Sequence, residues 1–200
     1  MGLLILLPFY TYYMATIHQK VVKPFPHTTV TDTATYYPQD IAFRFGMMTA
    51  ASFLALVFFC IARWMKYLQR KTNYPGKIPN VLYFFSELAI LPYCLTIGTI
   101  DEGKTGKIHD VSAVIFFVLL FGLTLVMTYY LYKMRKWDAS IMSSESWFIK
   151  RLTCFYILGV WLYCLYGIQF GDHHKHNDFV VIVEWNTVVV NLLWLLSFRR

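Results

Sequence analysis

Three stretches of this chain carry no charged residue for about the thickness of a bilayer. Phe45 to Ala62 runs 18 residues between Arg44 and Arg63, Val111 to Tyr132 runs 22 between Asp110 and Lys133, and Leu152 to Gly171 runs 20 between Arg151 and Asp172. About 20 apolar residues cross a hydrocarbon core as a helix, because lipid offers no partner to an unpaired backbone N–H or C=O. Two more stretches are broken by a single acid each: Ile78 to Ile100 by Glu87, and Phe179 to Phe198 by Glu184. One carboxylate in a span is tolerated when it faces the interior of a bundle and finds a partner there. Gly2 to Ile17 is a shorter apolar segment. No basic n-region opens it and no A-x-A-like site follows it, so it reads as a retained helix rather than a signal peptide.

Composition supports lipid as the solvent. Apolar residues make up 58% of the 200 residues and charged residues only 14%, whereas a soluble domain is about 25% charged. A water-soluble globule has too little polar surface here to cover its Phe, Tyr, Leu and Val. The expected fold is therefore all-α: one polytopic transmembrane bundle over residues 1–200, with six helices near 2–18, 43–66, 78–100, 111–133, 151–170 and 179–198.

The +7 net charge sits in short runs between apolar segments, as membrane-flanking anchors do, and nucleic acid is not an expected partner. Twelve of the 18 Lys and Arg fall on one side of the predicted bundle: Arg63, Lys66, Arg70, Lys71 and Lys77, then Lys133, Arg135, Lys136, Lys150 and Arg151, then Arg199 and Arg200. The richer side is expected to be cytoplasmic, with both termini inside. The loops Gln19 to Arg44, Asp101 to Asp110 and Asp172 to Asp178 then face the lumen or exterior. Cys60, Cys94, Cys154 and Cys164 all lie in apolar stretches, so neither a disulfide framework nor a cysteine zinc site is indicated. No G-x-S-x-G, no phosphate-binding glycine loop and no N-x-[ST] acceptor is present.

Polar chemistry gathers on the exterior side. The segment Pro24 to Arg44 mixes Pro, Thr, Tyr and Asp without a helical period, and Pro38 to Asp40 can open the next helix. It is either a structured loop over the bundle or an ordinary connector ending in a helix cap. All six histidines (His18, His27, His109, His173, His174 and His176) fall on this side beside Asp110, Asp172 and Asp178. Imidazole and carboxylate together suit zinc or a pH sensor. No H-x-x-x-H pair sets two ligands on one helix face, so solvated loop histidines are expected, with no metal and no cofactor. Glu184 stands about one turn into the last span, where Arg44 or His109 can meet it. Asp32, Thr33, Arg44, His109, Asp110 and Glu184 are the candidate ligand residues, and none is assigned a catalytic role.

A family resemblance sharpens this. Thr31-Asp32-Thr33-Ala34-Thr35, followed by Pro38, Gln39 and Phe43, resembles the S-D-T-G-T…P-P-E…F signature of the damage-regulated autophagy modulator (DRAM) family. His109-Asp110 stands before the fourth span, where that family has a similar histidine, and Glu184-Trp185 resembles its E-W in the last span. Pro38 to Phe45 also resembles related proteins that remodel the lipid of glycosylphosphatidylinositol (GPI) anchors. Ala34 and Gln39 depart from the signature's glycine and glutamate. The resemblance implies a six-span protein of lysosome, Golgi, endoplasmic reticulum or plasma membrane, tied to autophagy, GPI-anchor maturation or membrane-lipid organisation. Asp32, His109 and Glu184 are the positions it shares.

Three functions follow as expectations. The first is a non-enzymatic lipid-organising protein whose partners are membrane lipids. The second is a membrane-embedded lipid-remodelling enzyme using His109, Asp110 and His173 to His176. The third is an accessory subunit among other membrane-protein subunits, for which Gly46, Ala50, Ala51 and Ser52 offer a close helix contact.

Overall fold

The computed structural model describes residues 39–80, 102–170 and 189–198, with positions 10, 12–14, 16, 17, 82, 88 and 186 besides. Most of the proposed spans at 2–18 and 78–100, nine of the 20 residues of that at 179–198, and the loops at 18–38 and 171–178 lie outside the described residues. Among those described, every regular element is helical: α1 (Gln39–Lys71), α2 (Glu102–Trp137), a single 3-10 turn (Ala139–Ile141), α3 (Ser144–Phe170) and α4 (189–196).

The helix ends follow local chemistry. Asp40 stands in the first turn of α1 and Arg70 and Lys71 in its last, each matching the sign of the helix dipole. Asn73 takes a left-handed φ of 50° just past the end. With it, Tyr74 N–H donates to the Gln69 carbonyl (3.0 Å) and Asn73 N–H to that of Arg70 (3.3 Å), the pairing of a Schellman stop. After α2, the Asp138 carboxylate accepts from Ser140 N–H (2.9 Å) and opens the 3-10 turn. Ser143 Oγ then accepts from Ser146 N–H (3.2 Å) and caps α3.

Two expected loops are corrected. Asp101 to Asp110, predicted as an exterior loop, is helical from Glu102 onward. The connection after the fourth span shrinks to residues 138–143. Charges mark where the hydrocarbon run ends, but they do not end a helix, and Lys104, Lys107, Arg135 and Lys136 are ordinary helix formers. At a rise of about 1.5 Å per residue, α2 is about 54 Å long and outruns a hydrocarbon core of about 30 Å.

α1, α2 and α4 share one core, and α3 packs on α2 through a second, smaller cluster. Phe43, Phe58, Met65 and Leu68 of α1, Phe116, Leu123, Met127 and Met134 of α2, and Trp194 and Leu195 of α4 are all buried in the shared core. α2 and α3 pack antiparallel, as their short connection requires. Tyr132 stacks on Trp147 (5.5 Å) near the connection, while Phe121 packs with Ile157 and Val160 farther along. α1 and α2 end side by side: Trp137 Nε1–H donates to the Thr72 carbonyl (3.0 Å), and the Tyr74 and Trp137 rings meet edge to face. The end of α4 joins them, with Phe198 against Trp64. One end of the molecule therefore gathers the C-terminal ends of α1, α2 and α4 and the N-terminal end of α3.

Candidate functional site

The most buried charge described is at this end. Lys150 is 0% exposed, on the first turns of α3, whereas the next residue, Arg151, is exposed. Ser146, Lys150, Thr153 and Ile157 are all buried, and their 3–4-residue spacing puts them on one face of α3. The Lys150 ammonium donates to Ser197 Oγ and to the Trp194 carbonyl (3.5 Å). It also lies over the Phe198 ring (3.4 Å from the centroid) and the Trp194 ring (5.1 Å). Ser197 Oγ donates in turn to the Trp194 carbonyl (2.6 Å), and Ser146 Oγ donates to the Ser197 carbonyl. The last turn of a helix leaves its carbonyls without intrahelical donors and carries partial negative charge. Lys150 and Ser146 supply those donors from the neighbouring helix, and two aromatic faces enclose the cation. Trp194 Nε1–H donates to Thr128 Oγ1 (2.9 Å), which ties α4 to α2 as well.

Sequence reasoning counted Lys150 as a membrane-flanking anchor in water. It is instead buried, and it anchors the last helix. The available signal was the 146–150–153–157 spacing, which a tally of charges ignores.

The predicted ligand residues are only partly in view. Asp32, Thr33 and Glu184 lie outside the described residues. Arg44, on the second turn of α1, and His109, on the third turn of α2, are both half-buried, and Asp110 follows in the same helix. Arg44 stands 27 residues before Lys71 and His109 28 residues before Trp137. Each therefore lies about 40 Å along its own helix from the basic end. Asp40 Oδ1, one turn before Arg44, is buried without a hydrogen-bond partner. Among the described residues no group of three His, Cys, Asp or Glu is placed to hold a metal ion; His173, His174 and His176 lie outside them. Of the proposed close-contact residues of α1, Gly46 is buried and Ser52 is exposed, its hydroxyl turned back onto the Met48 carbonyl (3.2 Å).

The family model described as the Frag1/DRAM/Sfk1/Cwh43P N-terminal domain matches residues 3–199. The chain belongs to this family. No curated protein and no solved structure matches it. For a Frag1/DRAM-family chain, the division between surface and interior is the most informative feature. The outward face of α2 runs through Val111, Val114, Ile115, Val118 and Val126, and that of α3 through Leu152, Phe155, Leu158 and Leu162, all exposed. The interior holds Ser112, Thr124, Thr128, Thr153 and Asn191. Thr124, Thr128 and Thr153 turn their hydroxyls onto the carbonyl four residues back, at 2.8–3.0 Å, which satisfies a hydroxyl without water. Among the described residues, Ser52–Lys71 and Val111–Trp137 are long and apolar enough to cross a membrane. The Frag1/DRAM-family chain is a membrane protein by family and by surface.

Proposed function

We propose that this chain is a multi-pass, non-enzymatic protein that organises membrane lipids. It would cross an endomembrane or the plasma membrane six times with both termini in the cytoplasm. It would serve the autophagic or GPI-anchored-protein traffic that the family resemblance implies. The observation that carries this is the outward apolar stripe on α2 and α3, which leaves the exposed face of these helices as apolar as the core beneath it, where Ser112, Thr124, Thr128 and Thr153 are also buried. Lone exposed apolar residues are common on soluble proteins, but stripes of bulky side chains along whole helices are not.

Directions within the bundle support the proposed topology. α1, α2 and α4 run together toward the basic end and α3 runs away from it, as second, fourth, sixth and fifth spans would. Exposed Arg63, Arg70, Lys71, Lys77, Lys133, Lys136 and Arg151 mark that end, the side expected in the cytoplasm. The two other readings gain no observation of their own.

The test is the lipid shell. The full chain is extracted in polymer-bounded native-membrane discs, and its lipids are weighed by mass spectrometry against the bulk membrane. A lipid-organising protein carries a shell enriched severalfold in one lipid class. A shell matching the bulk composition overturns the proposal.

A further inference from the structure

We infer that the paired ends of α1 and α2 form a binding site for anionic phospholipid headgroups of the adjoining leaflet, built from Lys71, Lys77, Lys133 and Lys136 around Tyr74 and Trp137. The inference deepens the reading above and rests on it.

The outward face of α2 is apolar as far as Val126, turns aromatic at Tyr129 and Tyr132, and becomes basic at Lys133 and Lys136, all exposed. That order is the depth profile of a half-bilayer: hydrocarbon, interface, headgroup. Lys133 Nζ sits 4.7 Å over the Tyr129 ring, so its charge is held at the aromatic level. Trp137 is 57% exposed although its N–H is already committed to the Thr72 carbonyl. Its ring is therefore fixed against Tyr74 while one side stays open.

The loop after α1 adds the fourth cation. Gln69 Nε2–H donates to the Gly76 carbonyl, and Lys66 Nζ donates to Asn80 Oδ1. The chain thus folds back along the last turns of α1 and keeps exposed Lys77 beside them. The charge balance selects the ligand. Seven exposed Lys and Arg stand at this end against two described acids, Asp138 and Glu145. Asp138 is already engaged by the Ser140 amide and hydroxyl. Each basic side chain near an anionic surface strengthens binding by up to about fivefold.

The test uses the full chain reconstituted in phosphatidylcholine vesicles with spin-labelled phosphatidylserine or spin-labelled phosphatidylcholine as probe. Electron spin resonance reads the protein-restricted fraction of each. The wild-type chain is expected to favour phosphatidylserine about fivefold or more, with the ratio falling in high salt. The K71Q/K77Q/K133Q/K136Q variant brings the ratio close to one, and K77Q or K136Q alone lowers it in part. K104Q/K107Q, near the other end of α2, leaves it unchanged. Equal restriction of both lipids by the wild-type chain, or a ratio indifferent to the four substitutions, overturns the headgroup site while leaving the membrane reading standing. If neither probe is restricted, both fall.

Discussion

Lys150 shows how much one side chain carries here. It reaches across from α3 to the carbonyl end of α4 and brings its charge under two aromatic rings. Lys150→Ala opens a cavity and strips donors from that helix end, at an expected cost of about 3 kcal/mol in denaturant unfolding from detergent micelles. Lys150→Met keeps the volume, and Ser197 still donates to Trp194, so its cost is about 1 kcal/mol. Arg151→Ala, one residue on and exposed, changes stability by less than about 0.5 kcal/mol. Asp138 supplies a pH dependence. The Ser140 hydroxyl, then the Ser140 amide, and then the charge of Lys71 hold its carboxyl below the ordinary 3.8. A lowered folded-state value means the stabilisation is full above 3.8 and is lost as the pH falls through the lowered value. The thermal midpoint should therefore fall more steeply in acid for the wild-type chain than for Asp138→Asn. Neither role was read from the sequence. A tally of charges treats a basic residue at a span boundary alike whether it faces water or a neighbouring helix end, and only the spacing of its buried neighbours tells the two apart.

At the scale of elements, two of the apolar runs were legible as long helices and their ends were not. Phe45 to Ala62 and Val111 to Tyr132 lie inside α1 and α2, because an uncharged run reports where lipid stops. Both helices continue beyond those runs, because backbone pairing persists in water wherever the residues favour it. The start near Pro38 to Asp40 was readable from local chemistry, and α1 does begin at Gln39. The Schellman stop at Asn73 was not foreseen, since a single Asn in a polar segment is compatible with many turns. That stop sets the packing of the next residues. A Cβ on Gly76 would collide with the Tyr74 ring, which packs against Trp137. Gly76→Ala should push the ring away, cost about 1–2 kcal/mol in stability and loosen the paired ends of α1 and α2. Hydrogen exchange of the Trp137 indole N–H, which is committed to the Thr72 carbonyl, should be faster in Gly76→Ala than in the wild-type chain.

For the whole molecule, the family was legible in about a dozen residues, and the match over residues 3–199 bears it out. The proposed ligand residues were legible only as a set of polar positions at one end. Whether Arg44 and His109 converge with Asp32, Thr33 and Glu184, which lie outside the described residues, stays an expectation, because sequence spacing does not say which faces of separate helices meet. The central claim is that hydrocarbon surrounds this bundle, so that bulky apolar side chains face outward along whole helices as well as filling the core. The direct measurement is a spin-label accessibility scan along α3 in reconstituted vesicles, one cysteine at a time in a cysteine-free background. Labels at Leu152, Phe155, Leu158 and Leu162 should collide freely with oxygen and scarcely with a water-soluble nickel chelate, while labels at Thr153, Ile157 and Val160 should be shielded from both. Nickel reaching the four outward positions as readily as oxygen does would place water, not lipid, against the bundle and contradict the account.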